Sequence, residues 1–145
     1  MAIQNVSDDG YISISGQTSW ANARDATTGT VVSNAASADF AQIYHTAGRG
    51  SDDFRITRTF MYFNTTSITD TLADATLKLR GYTSGNSADI IVVKSTAFGG
   101  DGGTALAAGD MDSLDTSTPY SSEFTSFAVN AWNEISLSLI HISEP

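Results

Sequence analysis

The chain has 145 residues, 41% of them apolar and 16% charged, and no cysteine. That length predicts one domain with its own core, and the lack of cysteine excludes disulfides and thiolate metal sites. With 7 basic against 16 acidic residues the formal charge is −9, so nucleic-acid phosphates are repelled and no nucleic-acid partner is expected.

Ser, Thr, Gly, Ala and Asp dominate the remainder, which suits an all-β fold with many turns. No apolar run approaches the ~20 residues of a membrane helix, and no membrane partner is expected. The first ten residues, MAIQNVSDDG, carry no basic n-region and no apolar h-region. The protein is therefore expected to be made and folded in the cytoplasm.

In chain order, Asp9–Ser15 alternates Tyr11, Ser13 and Ser15 with Ile12 and Ile14, the period-2 pattern of a short strand. The segment 16–29 is turn-rich and holds Trp20 and Arg24. Thr30–Ser33 reads as a short strand, Ala35–Ala38 as a small-residue patch able to form one helical turn, and Asp39–Thr46 as a strand. A Gly- and Asp-rich loop, Ala47–Asp53, leads into the central stretch Phe54–Phe98.

Three apolar runs organise that stretch. Ile56–Phe63 is rich in β-branched and aromatic residues. Thr59, Met61 and Phe63 share one face; Ile56, Arg58, Phe60 and Tyr62 share the other. Asp74–Tyr82 alternates Ala75, Leu77, Leu79 and Gly81 with Thr76, Lys78, Arg80 and Tyr82, which predicts one dry face and one wet one. Ala88–Ser95 contains four consecutive apolar residues, Ile90–Val93, which predicts a strand covered on both sides. A Gly-rich loop and a short helix or ordered loop over Ala105–Thr118 follow. Two last strands are predicted over Ser122–Val129 and Asn133–Ser138.

RTFMYFNTTSI (Arg58–Ile68) followed by DATLKLRG (Asp74–Gly81) resembles the central signature of DNRLRE-type β-sandwiches. These are jelly-roll modules, many assigned to carbohydrate binding, with a pattern close to R-x-φ-L-x-F-D-x-S-x-I and then A-x-L-x-L. Asn64 stands where that family usually has Asp. Together with Ala88–Ser95 and Pro119–Glu123, the chain also resembles virion structural proteins of marine bacteriophages. The resemblance implies an antiparallel β-sandwich of jelly-roll type and places Met61 and Phe63 at inward positions.

The last nine residues, LSLIHISEP (Leu137–Pro145), resemble a translated sequencing adapter, as in a metagenomic fragment. Natural coding is then expected to end near Ser136. The expected organisation is a single β-sandwich domain over 1–136, truncated at its C-terminus, with a non-native tail over 137–145. That tail is expected to extend the final strand by chance, since Leu137 and Leu139 share the parity of Ile135, and to fray from Ile140 onward.

With His141 in that tail, His45 is the remaining histidine, and no Gly-x-Ser-x-Gly elbow accompanies the serines. Glu123 and Glu134 sit near strand starts, and the aspartates lie mostly in loops as turn residues. No catalytic residue is assigned, and the protein is expected not to be an enzyme. Oxygen-rich loops make a structural calcium conceivable at Asp8–Asp9, Asp52–Asp53 or Asp101, none with EF-hand spacing. The ligand-binding candidates are Phe60, Tyr62, Arg80 and Tyr82, expected to face outward, because exposed rings stack on the apolar faces of sugars. Trp20 and Trp132 are expected to plug the core. The expected function is a non-enzymatic virion component, a head-decoration or tail-fibre module reaching the outside by assembly and lysis. Its partners would be other virion proteins or surface glycans, with a homo-oligomer conceivable. The alternative is a carbohydrate-binding module of a secreted or surface protein, extracellular in location.

Overall fold

A computed structural model describes residues 3–34, 41–48, 52–69, 72–82 and 89–138. Its strands are β1 (Asp8–Gln17), β2 (Val31–Ser33), β3 (Gln42–Thr46), β4 (Asp53–Tyr62), β5 (Ala75–Arg80), β6 (Lys94–Ser95), β7 (Leu114–Asp115) and β8 (Trp132–Leu137). One short α-helix, α1 (Trp20–Arg24), and two 3-10 turns, Phe98–Gly100 and Ala108–Asp112, complete the described elements. All strand pairing is antiparallel, and the described fold is all-β in character. The chain divides into two compact units, Met1–Ile68 with Ser95–Leu114, and Thr69–Lys94 with Asp115–Pro145.

The first unit is built on a sheet of order β2-β1-β4-β3. The alternation read in β1 holds: Gly10, Ile12 and Ile14 are buried and the residues between them are not. Their partners across the ladder are Phe60, Arg58 and Ile56, so the even-numbered residues of both strands share the core face. Gly10 is required there, since a Cβ would lie 2.3 Å from the Ser33 carbonyl of β2. At Gly16, φ is +72° and the register of β1 against β4 shifts between Ile14 and Gln17, a bulge that glycine accommodates without strain.

The core joins Ile12, Ile14, Ala23, Phe60, Ala97, Phe98, Leu106 and Met111. Phe54, Ile56 and Tyr62 pack against it. This corrects the expected facing of β4: Phe60 points inward at 3% exposure, while Met61 and Phe63 are half-buried and outside that cluster. Full burial of a side chain like Phe60 contributes about 1.5–3 kcal/mol.

Arg58 lies on the same inward face. Its guanidinium donates to the carbonyl of Met111 and, at 2.7 Å, to the carbonyl of Arg24 at the end of α1. Both acceptors are carbonyls at the end of a helical segment, the groups a short helix leaves unsatisfied. Burial pushes this guanidinium below the ordinary arginine value, while Asp112 and Asp25 act against that shift. A charge on a long apolar stem does not mark a solvent face.

α1 interrupts the segment read as turns. Ser19 is its N-cap, accepting from the Asn22 N–H at 3.1 Å, and Ala23 is its buried residue. The region 105–118 closes the core as an ordered loop: Met111, in the second 3-10 turn, is fully buried. Ala35–Ala38 lies outside the described residues, and the strand expected from Asp39 is described as β3 from Gln42.

In the second unit β5 pairs with β8, with Ala75 opposite Leu137, Leu77 opposite Ile135 and Leu79 opposite Asn133. These residues form the drier face, on which Ile135 and Asn133 are buried. Leu137 thus continues the parity of Ile135, as expected; the expected fraying from Ile140 falls outside the described residues. The expected strand Ala88–Ser95 is corrected. Ile90 forms an isolated bridge to Phe124, and Ile91 is 53% exposed. The Ser121 hydroxyl accepts from the Val92 N–H at 3.0 Å, taking a donor that a longer ladder would need. The expected strand Ser122–Val129 is likewise corrected: it contributes only the bridge at Phe124.

Candidate functional site

The four ligand-binding candidates fall into two pairs. Phe60 is core and has no surface to offer. Tyr62 is half-buried against that core, with its ring beside Gly102, where a Cβ would come within 2.4 Å of it. Arg80 and Tyr82 belong to the second unit and are exposed there, Tyr82 by 85%.

The wet face of the β5–β8 ladder carries the remaining partners. Cross-strand pairing sets Thr76 opposite Ser136, Lys78 opposite Glu134 and Arg80 opposite Trp132. Lys78 Nζ and Glu134 Oε1 are 2.6 Å apart, an exposed pair worth at most about 1 kcal/mol. Beside them Trp132 is 65% exposed, which corrects its expected place as a core plug. Trp20 is 41% exposed, with its edge toward Phe54 at 5.0 Å.

Behind this face a turn is locked in place by Asn133. Its amide oxygen accepts from Ala128 N–H at 2.7 Å, and its NH2 donates to the carbonyls of Ala128 (2.9 Å), Ala131 (3.3 Å) and Leu79 (3.4 Å). The turn then bonds to Gly81 in both directions: Gly81 N–H to Ala131 O at 3.0 Å, and Asn130 N–H to Gly81 O at 2.8 Å. Only glycine fits at 81, because a Cβ would lie 2.2 Å from the Ala128 carbonyl. Asn130 takes a left-handed φ of 56°, a conformation that asparagine tolerates better than most residues. The result is a shallow concavity of about 340 Å³ lined by Arg80, Gly81, Tyr82 and Asn130. Trp132 stands opposite Arg80 on the adjoining strand.

Asp53 and Asp101 accept hydrogen bonds from the protein's own donors, and Asp52 faces His45. Asp53 accepts from Gly16 N–H at 2.6 Å and from Arg55 Nε at 2.6 Å. The Arg55 hydrogen bond first, then that of Gly16, holds its carboxyl below the ordinary value. Asp52 lies 3.6 Å from His45 Nε2, and His45 stacks on Phe54 at 4.3 Å between ring centres. Asp101 accepts from Gly103 N–H at 2.8 Å. Asp8 and Asp9 line a groove of about 420 Å³ in the first unit, together with Ser7, Asn34 and Thr104. Among the described residues no group of three or more His, Asp or Glu comes together as a metal-ligand set.

Asn64 fills the position where the resembled family has Asp in a way that needs no charge. Its amide oxygen accepts from Thr66 N–H at 3.1 Å and Thr66 Oγ1 at 2.6 Å, a side-chain-closed turn open to either residue. Strand parity in the sequence places Arg80 and Tyr82 on an exposed face, where the structure has them. It does not place Trp132, Asn130 and Asn133 beside them; the signal available is that Trp132 shares the parity of Glu134 and Ser136, the polar side of the last strand. No helix among the described residues is long and apolar enough to cross a membrane. In comparisons with known proteins the chain matches no family model, no curated protein and no solved structure.

Proposed function

We propose that the chain is a non-enzymatic β-module that binds a glycan on the wet face of β5–β8. The observation that carries this reading is the grouping of Trp132, Tyr82 and Arg80 at one end of that face, around a concavity shaped by a turn that Asn133 holds. The exposed indole offers a flat apolar surface for the C–H face of a pyranose. Arg80 supplies fixed, planar donors to ring hydroxyls. Tyr82 and Asn130 add a phenol and an amide, so stacking gives area and the polar groups give orientation.

The jelly-roll sandwich and the DNRLRE relationship belong to the same proposal. Non-local antiparallel pairing supports them: β1 lies between β2 and β4, and β5 pairs with β8 rather than with a sequence neighbour. The setting we favour is a virion surface, as a head-decoration or tail-fibre module, on the strength of the segments that resemble phage structural proteins. A secreted or cell-surface module would use the same face.

The test is a glycan array followed by affinity electrophoresis on the retained polysaccharides. Wild type should be retained, and Trp132→Ala should weaken binding at least tenfold. Its melting point should hardly move, since exposed substitutions usually change stability by no more than about 0.5 kcal/mol. Binding undiminished in both Trp132→Ala and Tyr82→Ala, or absent from wild type across the array, would overturn the assignment. Co-purification with virions then separates the phage setting from the secreted one.

A further inference from the structure

We propose that β3 is the contact strand of a symmetric homodimer, in which the sheet of the first unit continues antiparallel into that of a second copy. β3 is the last strand in the order β2-β1-β4-β3, and among the described residues it pairs only with β4. All five of its residues are exposed, Ile43 by 64%. A strand edge of this kind presents a row of backbone donors and acceptors ready for another strand.

Proteins that keep such an edge apart usually place Lys, Pro or an inward-pointing charge on it. β3 reads QIYHT and has none of these. It is a stretch free of Lys, Arg, Asp and Glu in a chain of formal charge −9. Two copies that repel one another over most of their surfaces therefore meet here without opposed like charges.

The sequence is also self-complementary about its centre. An antiparallel pairing with Tyr44 on the two-fold axis sets Tyr44 opposite Tyr44 of the second copy, Ile43 opposite His45, and Gln42 opposite Thr46. Each is an aromatic, apolar–aromatic or hydrogen-bonding pair of the kind that stabilises cross-strand neighbours. The two faces are prepared for it. Opposite Ile43 on the same strand face, His45 is already stacked on Phe54 at 4.3 Å, which extends the apolar seam inward. On the other face the Arg55 guanidinium sits 5.7 Å from the centre of the Tyr44 ring and is neutralised by Asp53. The pairing is isologous and closes on itself, so it stops at two copies.

Five residues per copy are few beside the roughly 20–30 per side of a standard interface. The dimer is accordingly weak and concentration-dependent, and higher salt should tighten it by screening the repulsion between acidic copies.

The experiment is sedimentation velocity over a concentration series at about 50 and 500 mM NaCl, around the Debye lengths that distinguish screened from unscreened repulsion. Wild type should pass from the 15.3 kDa monomer to twice that mass as concentration rises, several-fold more readily at high salt. Tyr44→Glu and Tyr44→Lys should each be monomeric while folded by circular dichroism. Mixed one to one they should dimerise again, because the residue faces its own copy across the axis. Monomeric wild type throughout, dimerisation of either variant alone as in wild type, or a mixture that stays monomeric would each overturn the proposal.

Discussion

Asp53 closes a bulge, and its charge is what holds. One oxygen accepts from the Gly16 N–H and the other from Arg55, so the folded-state pKa sits below its ordinary value of 3.8. A carboxylate with a depressed pKa adds stability that is complete above its unfolded pKa and is lost as pH falls through the folded one. Urea midpoints measured downward from about pH 6 should therefore show Asp53→Asn losing stability at neutral pH, with a shallower decline than wild type below about pH 4. Parallel acid limbs for the two proteins would show that Asp53 is spent elsewhere. The residue scale is also where the sequence misled most. The family resemblance places Met61 and Phe63 inward, and so Phe60 and Tyr62, of opposite parity, outward; the structure reverses that facing. Arg58 lies half-buried on that inward face with its head matched to two carbonyls, so the face holds a charge without being a solvent face.

Elements with one dry face were legible and the others were not. β1 and β5 alternate, and their facing follows from alternation alone, whereas β8 opens with an exposed Trp132 and a buried Asn133 against that pattern. The run Ile90–Val93 has no alternation to read, and tertiary hydrogen bonds from Ser121 and Tyr120 decide its course. α1 is a five-residue helix inside turn-rich sequence, where only the Ser19 cap betrays it. The candidate face divides in the same way. Arg80 and Tyr82 follow from β5, whereas the turn that frames them depends on Asn133, whose role is visible only once its amide is seen bonding to Leu79, Ala128 and Ala131. That turn is held by the buried Asn133 side chain together with the backbone bonds to Gly81. Asn133→Ala should cost about 0.5–1.5 kcal/mol for each well-formed hydrogen bond it removes, chiefly those to Ala128. It should also weaken glycan retention by loosening Asn130 and Tyr82, although the indole of Trp132 remains. A variant with wild-type melting and wild-type retention would show that the turn holds itself.

At the scale of the whole molecule, pairing is distant in sequence. Lys78 and Glu134 are partners 56 positions apart, and Ser13 and Thr57 are 44 apart. Topology of this kind favours slow folding, since loops close before their contacts are rewarded. The core of the first unit carries this further. Ile12, Ile14 and Phe60 belong to the first sixty-odd residues, yet Phe98, Leu106 and Met111 complete their packing. During synthesis the early sheet therefore emerges with its interior uncovered and must wait for more than one additional strand before it can close. A nascent chain in that interval is client material for a chaperone, with an apolar face and an uncharged strand edge both on offer. A fragment ending after Lys94 should accordingly precipitate or co-purify with chaperones where one ending after Asp115 keeps its first unit soluble, so the 3-10 turn around Met111 acts as the point in translation at which the protein ceases to be sticky.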